Sequence, residues 1–253
     1  MSMSLMLGVV SSLLASALIA VLVAMRRRWW ATVRGLPRSL RLARRLRTLG
    51  VLYVFGSRSD YQRYRGTSTL IDYFRLAQTT VEMAAYWISY GVETQGLAEE
   101  VCRLLEERPS LSVTLAIIDP DSTHLDALAK HLNQPVEEIR NRITNSLVRL
   151  TAARMQLPKP ARYRYHIKVY NSLPVASVIM LDRVQRNGRM QVDIKPYHAA
   201  QHNSFAIEIT RAEDPLYEHL SAGWGQLVMD ARELNGVFVS VDAKVNQSDL
   251  GSS

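Results

Sequence analysis

Arg162, Arg164, His166 and Lys168 alternate along one stretch of the chain, and in an extended strand all four side chains leave by the same face. Two guanidinium groups, an imidazole and an ammonium gathered there make a local basic pocket for an anionic group; an ordinary solvated strand face has the same composition. Upstream, Asp119-Pro120-Asp121-Ser122-Thr123 follows the apolar run from Leu111 to Ile118. That is the place, outside the carboxyl end of a strand, where open α/β sheets bind ligands. Asp121 or Ser122 serves equally as the cap of a helix carrying Leu125, Leu128 and Leu132. Asp182 closes the apolar run that starts at Ser177, and Tyr197, His198, His202, Asn203 and Glu208 follow within reach of a pocket beside it. Histidines of a polar loop are as much at home on the surface.

Other chemistries find no support. His124 and His131 stand seven apart on a predicted helix with no third ligand nearby, so no metal centre is expected. The single Cys102 sits in a helical pattern with Val101, Leu104 and Leu105, as a small core residue of a reducing compartment, and no disulfide can form within the chain. There is no phosphate-cradling glycine loop, Ser/His/Asp arrangement or paired-carboxylate motif, and no cofactor is expected.

The net charge of +8 suggests a nucleic-acid partner until it is divided along the chain. Residues 1–50 hold nine arginines and no acid, which leaves twenty-two basic and twenty-three acidic side chains beyond them, a net −1. A near-neutral domain lacks the overall footprint for a phosphate backbone, so nucleic acid is not indicated as a partner.

The positive charge accompanies an apolar run. Leu5 to Met25 are twenty-one uncharged residues, enough at ~1.5 Å per residue to span a ~30 Å hydrocarbon layer, and Arg26-Arg27-Arg28-Trp29-Trp30 follows at once. A signal peptide would carry its charge before the apolar core, and Met1 to Ser4 have none. The expectation is a transmembrane anchor over 1–25 and a basic juxtamembrane segment over 26–50. Arginines remaining inside place the chain in the inner (cytoplasmic) membrane as a single-pass protein, N-terminus outside, with membrane lipids as partners of Arg26, Arg27, Arg28, Trp29 and Trp30. The domain would then run from 51 to 246, with a disordered tail over 247–253.

Within the domain, periodicity predicts strands at Val51–Phe55, Val81–Ile88 and Leu111–Ile118, with a helix from about Gln95 to Glu107 between the last two. Strand, helix, strand at this spacing predicts a parallel βαβ unit. A helix begins near Thr67 or Ser68, and another runs from Pro135 to about Gln156. Beyond Pro158-Lys159-Pro160 the pattern changes to short strands at Tyr163–Tyr170, Ser177–Leu181, Met190–Lys195 and Phe205–Thr210. A helix from Pro215 to about Leu234 and a last strand at Val237–Val241 complete the reading.

In this order of elements, residues 67–235 resemble one half of the phospholipase-D-like superfamily. Through Lys168-Val169-Tyr170, Leu173-Pro174, Met180-Leu181-Asp182 and Pro196-Tyr197 they look most like a divergent bacterial branch of it. Active members carry His-x-Lys-x-x-x-x-Asp, in which the histidine attacks phosphorus, the lysine clamps phosphate oxygens and two copies meet across a two-fold axis. His166-Ile167-Lys168 places Leu173 where Asp belongs, and anchoring on Asp182 places Val175 and Ser177 where His and Lys belong. Neither register is complete, and the second fits the strand order better.

Together with the apolar run, the resemblance implies an α/β fold class: an N-terminal transmembrane helix followed by one phospholipase-D-like mixed-sheet domain with flanking helices. It implies a membrane-anchored cytoplasmic sensor or effector, a homodimer that binds a small anionic ligand or protein partner without catalysis. Ligand contacts are then expected at Asp119, Asp121, Ser122, Asp182, Tyr197 and His198. The alternative is a phosphodiesterase acting on lipid or nucleic acid, with His166 as nucleophile and Lys168 as phosphate clamp.

Overall fold

The apolar runs pair into one eight-stranded sheet, in the order β1-β7-β6-β5-β2-β3-β4-β8. Its strands are β1 (Val51–Phe55), β2 (Thr80–Ala85), β3 (Ser112–Ile118), β4 (Tyr165–Tyr170), β5 (Ser177–Leu181), β6 (Arg189–Ile194), β7 (Phe205–Thr210) and β8 (Arg232–Glu233). The computed structural model describes residues 40–56, 70–88, 94–173, 176–197, 205–212, 215–236 and 238. Contacts divide the chain into two units, Met1–Thr48 and Leu49–Ser253. In the first, residues 40–48 are helical. The second holds the sheet.

The central strands β2, β3 and β4 run parallel, and the rest are antiparallel to their neighbours. Parallel strands need crossovers. Helix α2 (Thr94–Glu107) connects β2 to β3, while α3 (Leu125–Leu132), α4 (Val136–Gln156) and the single turn α5 (Lys159–Arg162) connect β3 to β4. β3 is buried on both faces, as a central parallel strand must be: Val113, Leu115, Ala116, Ile117 and Ile118 are all inaccessible. Each of its fully buried Val, Leu and Ile side chains contributes about 1.5–3 kcal/mol. A short helix, α1 (Leu70–Phe74), buries Ile71, Tyr73 and Phe74 before β2.

Helices α2 and α4 pack on each other and on β3 and β4, covering the face that carries Val81, Met83, Val113, Leu115, Tyr165 and Ile167. Helix α6 (Leu216–Asp230) packs against β2 and β4 on the other face, where Glu82, Thr114, His166 and Lys168 point. At the start of the sheet Gly50 has φ +76, and a side chain there would meet the Thr210 carbonyl oxygen at 2.0 Å, so only glycine fits.

The structure corrects the expected fold class. No helix among the described residues is long and apolar enough to cross a membrane, and what is present is a mixed α/β sheet with helices on its faces. The apolar run over 5–25, Arg26 to Trp30 and the topology read from them lie outside the described residues, as does the tail over 247–253. Several elements also differ: β2 ends at Ala85 and not at Ile88, β4 begins at Tyr165 and not at Tyr163, and Lys159–Arg162, expected as a seam followed by strand, is a helical turn. Helix α6 stops at Asp230, because Ala231 turns extended with ψ 135, and the residues expected to prolong it form β8 instead. The strand expected at Val237–Val241 falls outside the described residues apart from Phe238, which is in no strand.

Candidate functional site

The strand register places Met180, Glu82, Thr114 and His166 in one row across β5, β2, β3 and β4. Ala84, Ala116, Lys168 and Glu233 form the next row, across β2, β3, β4 and β8. Alternation along β4 leaves His166 and Lys168 half-buried while Tyr165, Ile167 and Val169 enter the core. Against these rows lies a hollow of about 300 Å³, lined by Thr80, Val81, Glu82, Ser112, Thr114, His166, Lys168 and Glu233. Thr80 and Ser112 are the first residues of their strands, so the groove opens toward the amino ends of the parallel strands. The Asp119 turn stands at the opposite end.

Each charge in the groove has a partner. His166 Nδ1 lies 3.0 and 3.2 Å from the two oxygens of Glu233, which also lies 3.8 Å from Arg154. The Lys168 ammonium donates to the Val228 carbonyl oxygen at 2.9 Å, in the last turn of α6, and its other two hydrogens have no partner among the described residues. Arg183 donates to Glu82 at 2.6 and 3.3 Å, and that hydrogen bond raises its pKa above the ordinary arginine value against the effect of burial. The hollow thus brings His166 and Lys168 together with the carboxylates of Glu82 and Glu233 and the hydroxyls of Thr80, Ser112 and Thr114, while Arg183 and Arg154 pair with the two carboxylates.

Of the four alternating basic residues only two serve the groove. Arg164 donates to the carbonyl oxygens of Leu105, Arg108, Leu111 and Pro160, closing the carboxyl end of α2. Arg162 does the same for Met155 and Leu157 at the end of α4. Both bond main-chain oxygens at and just beyond the ends of these helices, where carbonyls lack a partner within the helix.

The other expected ligand contacts are scattered. Asp119 accepts from Arg232 at 3.1 Å and from the Asp121 amide at 3.0 Å, while Asp121 lies 3.7 Å from Arg140. Ser122 is buried, donating to Asn171 Oδ1 at 2.7 Å and accepting the His124 amide at 3.1 Å. The residue that opens α3 is His124, and no side chain caps it. Tyr197 is 59% exposed, with its ring 5.6 Å from that of His131. His198, His202 and Asn203 lie outside the described residues. Glu208 is fully buried, and its register with Gln191, Ile179 and Met83 puts it on the face opposite Glu82.

Asp182 has an internal function. Its φ is +49, and its carboxylate accepts the amides of Gln78, Thr79 and Thr80 and the Thr79 hydroxyl at 2.7–3.0 Å. Burial acts to raise its pKa, but these four donors outweigh it and hold the group below the ordinary carboxylate value. The carboxylate thus fixes the loop that leads into β2.

Sequence reasoning missed Glu82, Arg183 and Glu233. Glu82 carries a signal, as the lone charge in the run from Val81 to Ile88. Glu233 carries none: it reaches His166 across 67 residues on a strand of two.

Fold and groove together define a mixed α/β domain with a polar cleft beside its parallel strands. No family model matches the chain, and no curated protein matches it. Among solved structures it is similar to Nuc from Salmonella typhimurium, a phospholipase D family member, at 13% identity over 62% of this chain and 83% of that one, with a TM-score of 0.38. It is also similar to TrmBL2, an archaeal chromatin protein with a novel mode of DNA binding, at 10% identity over 82% and 67%, with a TM-score of 0.44. At these scores the likeness is one of general chain path and assigns no role to any residue.

Proposed function

We propose that the groove receives a small anionic ligand of the phosphate class, held by Lys168 and His166, in a binding domain that performs no chemistry on it. The observation that carries the reading is the projection of both side chains from β4 into one hollow ringed by hydroxyls. An ammonium with two hydrogens to give and an imidazole on the same face suit an acceptor-rich anion, and charge-assisted bonds of this kind are the strong ones. The absence of turnover is supported by Leu173, which stands where the complete motif has a carboxylate, and by Asp182, which is committed to the loop before β2. Titrating inorganic phosphate into the full chain by calorimetry tests the reading. Lys168→Ala should weaken binding at least about tenfold, the equivalent of one lost charge-assisted bond. Equal affinity for the variant would remove the proposal.

One observation favours a second reading, a phosphodiesterase of the phospholipase D type. A carboxylate on Nδ1 fixes the imidazole so that Nε2 bears the lone pair, the arrangement of an activated nucleophile. Release of nitrophenolate from an aryl phosphodiester, abolished by His166→Ala, would establish it in place of the first.

A further inference from the structure

Helix α6 and β8 touch several groups that line the groove, beside the apolar contacts by which Tyr217, Val228, Ala231 and Leu234 enter the core. Near the middle of α6, Gly225 has no side chain, and a Cβ there would stand 2.6 Å from Arg183, which reaches past it to Glu82. One turn on, the Val228 carbonyl receives Lys168. After the helix ends, β8 pairs with β4 through Lys168–Glu233 and Val169–Arg232 alone, and the Leu234 amide donates to the Ile167 carbonyl at 2.9 Å. The Glu233 carboxylate then occupies His166. An edge strand of two residues is weakly held, and although Arg232 is tied to Asp119 and Leu234 is buried in the core, the Glu233–His166 contact is one that an anion in the groove would compete for.

We propose that residues 228–234 are an autoinhibitory strap, in which Glu233 serves as an internal pseudo-ligand of His166 and an anionic ligand displaces it. The inference rests on the anion-binding reading of the groove. The strap holds the ligand-free state by supplying a carboxylate to His166 and a carbonyl to Lys168. A phosphate placed between them takes both donors and repels the carboxylate. Arg154 receives the displaced group: it already lies 3.8 Å from Glu233 and donates to the Leu234 carbonyl at 2.6 Å, so the strap has a second place to settle. Binding and release are then two aspects of one equilibrium, since a ligand shifts a population only through the state it prefers. The consequence is a groove that reports its occupancy through the carboxyl end of α6.

The test is hydrogen exchange of the full chain with and without inorganic phosphate, alongside phosphate titration of the wild type and of Glu233→Gln. The proposal expects phosphate to accelerate exchange of the Arg232 to Leu234 amides at least about fivefold. It also expects Glu233→Gln to bind phosphate about tenfold more tightly, the size of an ordinary coupling between two sites. Phosphate binding that leaves those amides unchanged or slows them overturns the strap and leaves the binding reading standing. Absence of phosphate binding in both proteins overturns the two together. The wild-type exchange measurement decides the matter even where the variant folds poorly.

Discussion

Glu233 stands directly opposite Lys168 across the β4–β8 pair, yet its carboxylate goes to His166, 3.0 Å away on the diagonal, while the lysine turns to the Val228 carbonyl. A cross-strand pair of opposite charges would ordinarily satisfy itself. Here both partners are drawn elsewhere, and both line the groove.

The Asp182 carboxylate makes acid stability a direct readout of its four hydrogen bonds. Its pKa in the folded state lies below the unfolded value near 3.8, so the stability it confers is present above that pH and is lost as the pH falls through the folded value. Asp182→Asn keeps a residue that tolerates φ +49 and removes the charge. Urea midpoints should show a deficit of about 1–3 kcal/mol at pH 6 that narrows on acidification. A gap that stays constant from pH 6 to pH 2 refutes the assignment.

Two glycines of α6 separate contact from propensity. Gly225→Ala drives a methyl group into the Arg183 guanidinium and loosens its hold on Glu82, for an expected loss of about 1–3 kcal/mol. Gly223 is exposed with nothing within 4 Å of an added Cβ, so Gly223→Ala should gain about 0.5–1 kcal/mol from helix propensity alone. Thermal denaturation of the pair must give opposite signs.

Arg164→Lys keeps the charge and loses the fork that bridges the carbonyls of Leu105, Arg108 and Leu111. It should destabilise the fold by about 1–3 kcal/mol while phosphate affinity stays within twofold, a factor of roughly 0.4 kcal/mol. A large fall in affinity with unchanged stability would return Arg164 to the ligand site.

Cys102 should be sluggish toward disulfide reagents. Burial, with Glu106 and Glu99 adding to it, pushes its thiol up to about 11, leaving little thiolate at pH 8. Labelling of the native protein is expected at least about a hundredfold slower than in denaturant, because a typical free thiol titrates near 8.5. Comparable rates in the two states would contradict the placement.

Legibility in the sequence followed locality. The run Ser177–Leu181 was readable to the residue, because it is apolar between clear turns, and β2, β3 and the long helix α4 were readable within one or two residues at the start. The parallel pairing of β2 and β3 followed from the helix between them. What could not be read was set by long-range contact. The same alternation that marked His166 and Lys168 also marked Arg162 and Arg164, and only the ends of α2 and α4 decide which pair is left for the groove. β8 was unreadable because Arg232-Glu233 forms a strand only where β4 offers an edge, and an uninterrupted helical pattern concealed it.

The arginine clasps at the ends of α2 and α4 bear on how such a domain tolerates change. Arg108, Arg154 and Arg164 reach main-chain oxygens far along the sequence, and Arg162 those just before it, so that all four act as mortar at the helix ends. Exchanging any of them for lysine would leave the isoelectric point almost untouched while opening a joint. A census of cations therefore overstates how many are free to greet a visiting phosphate.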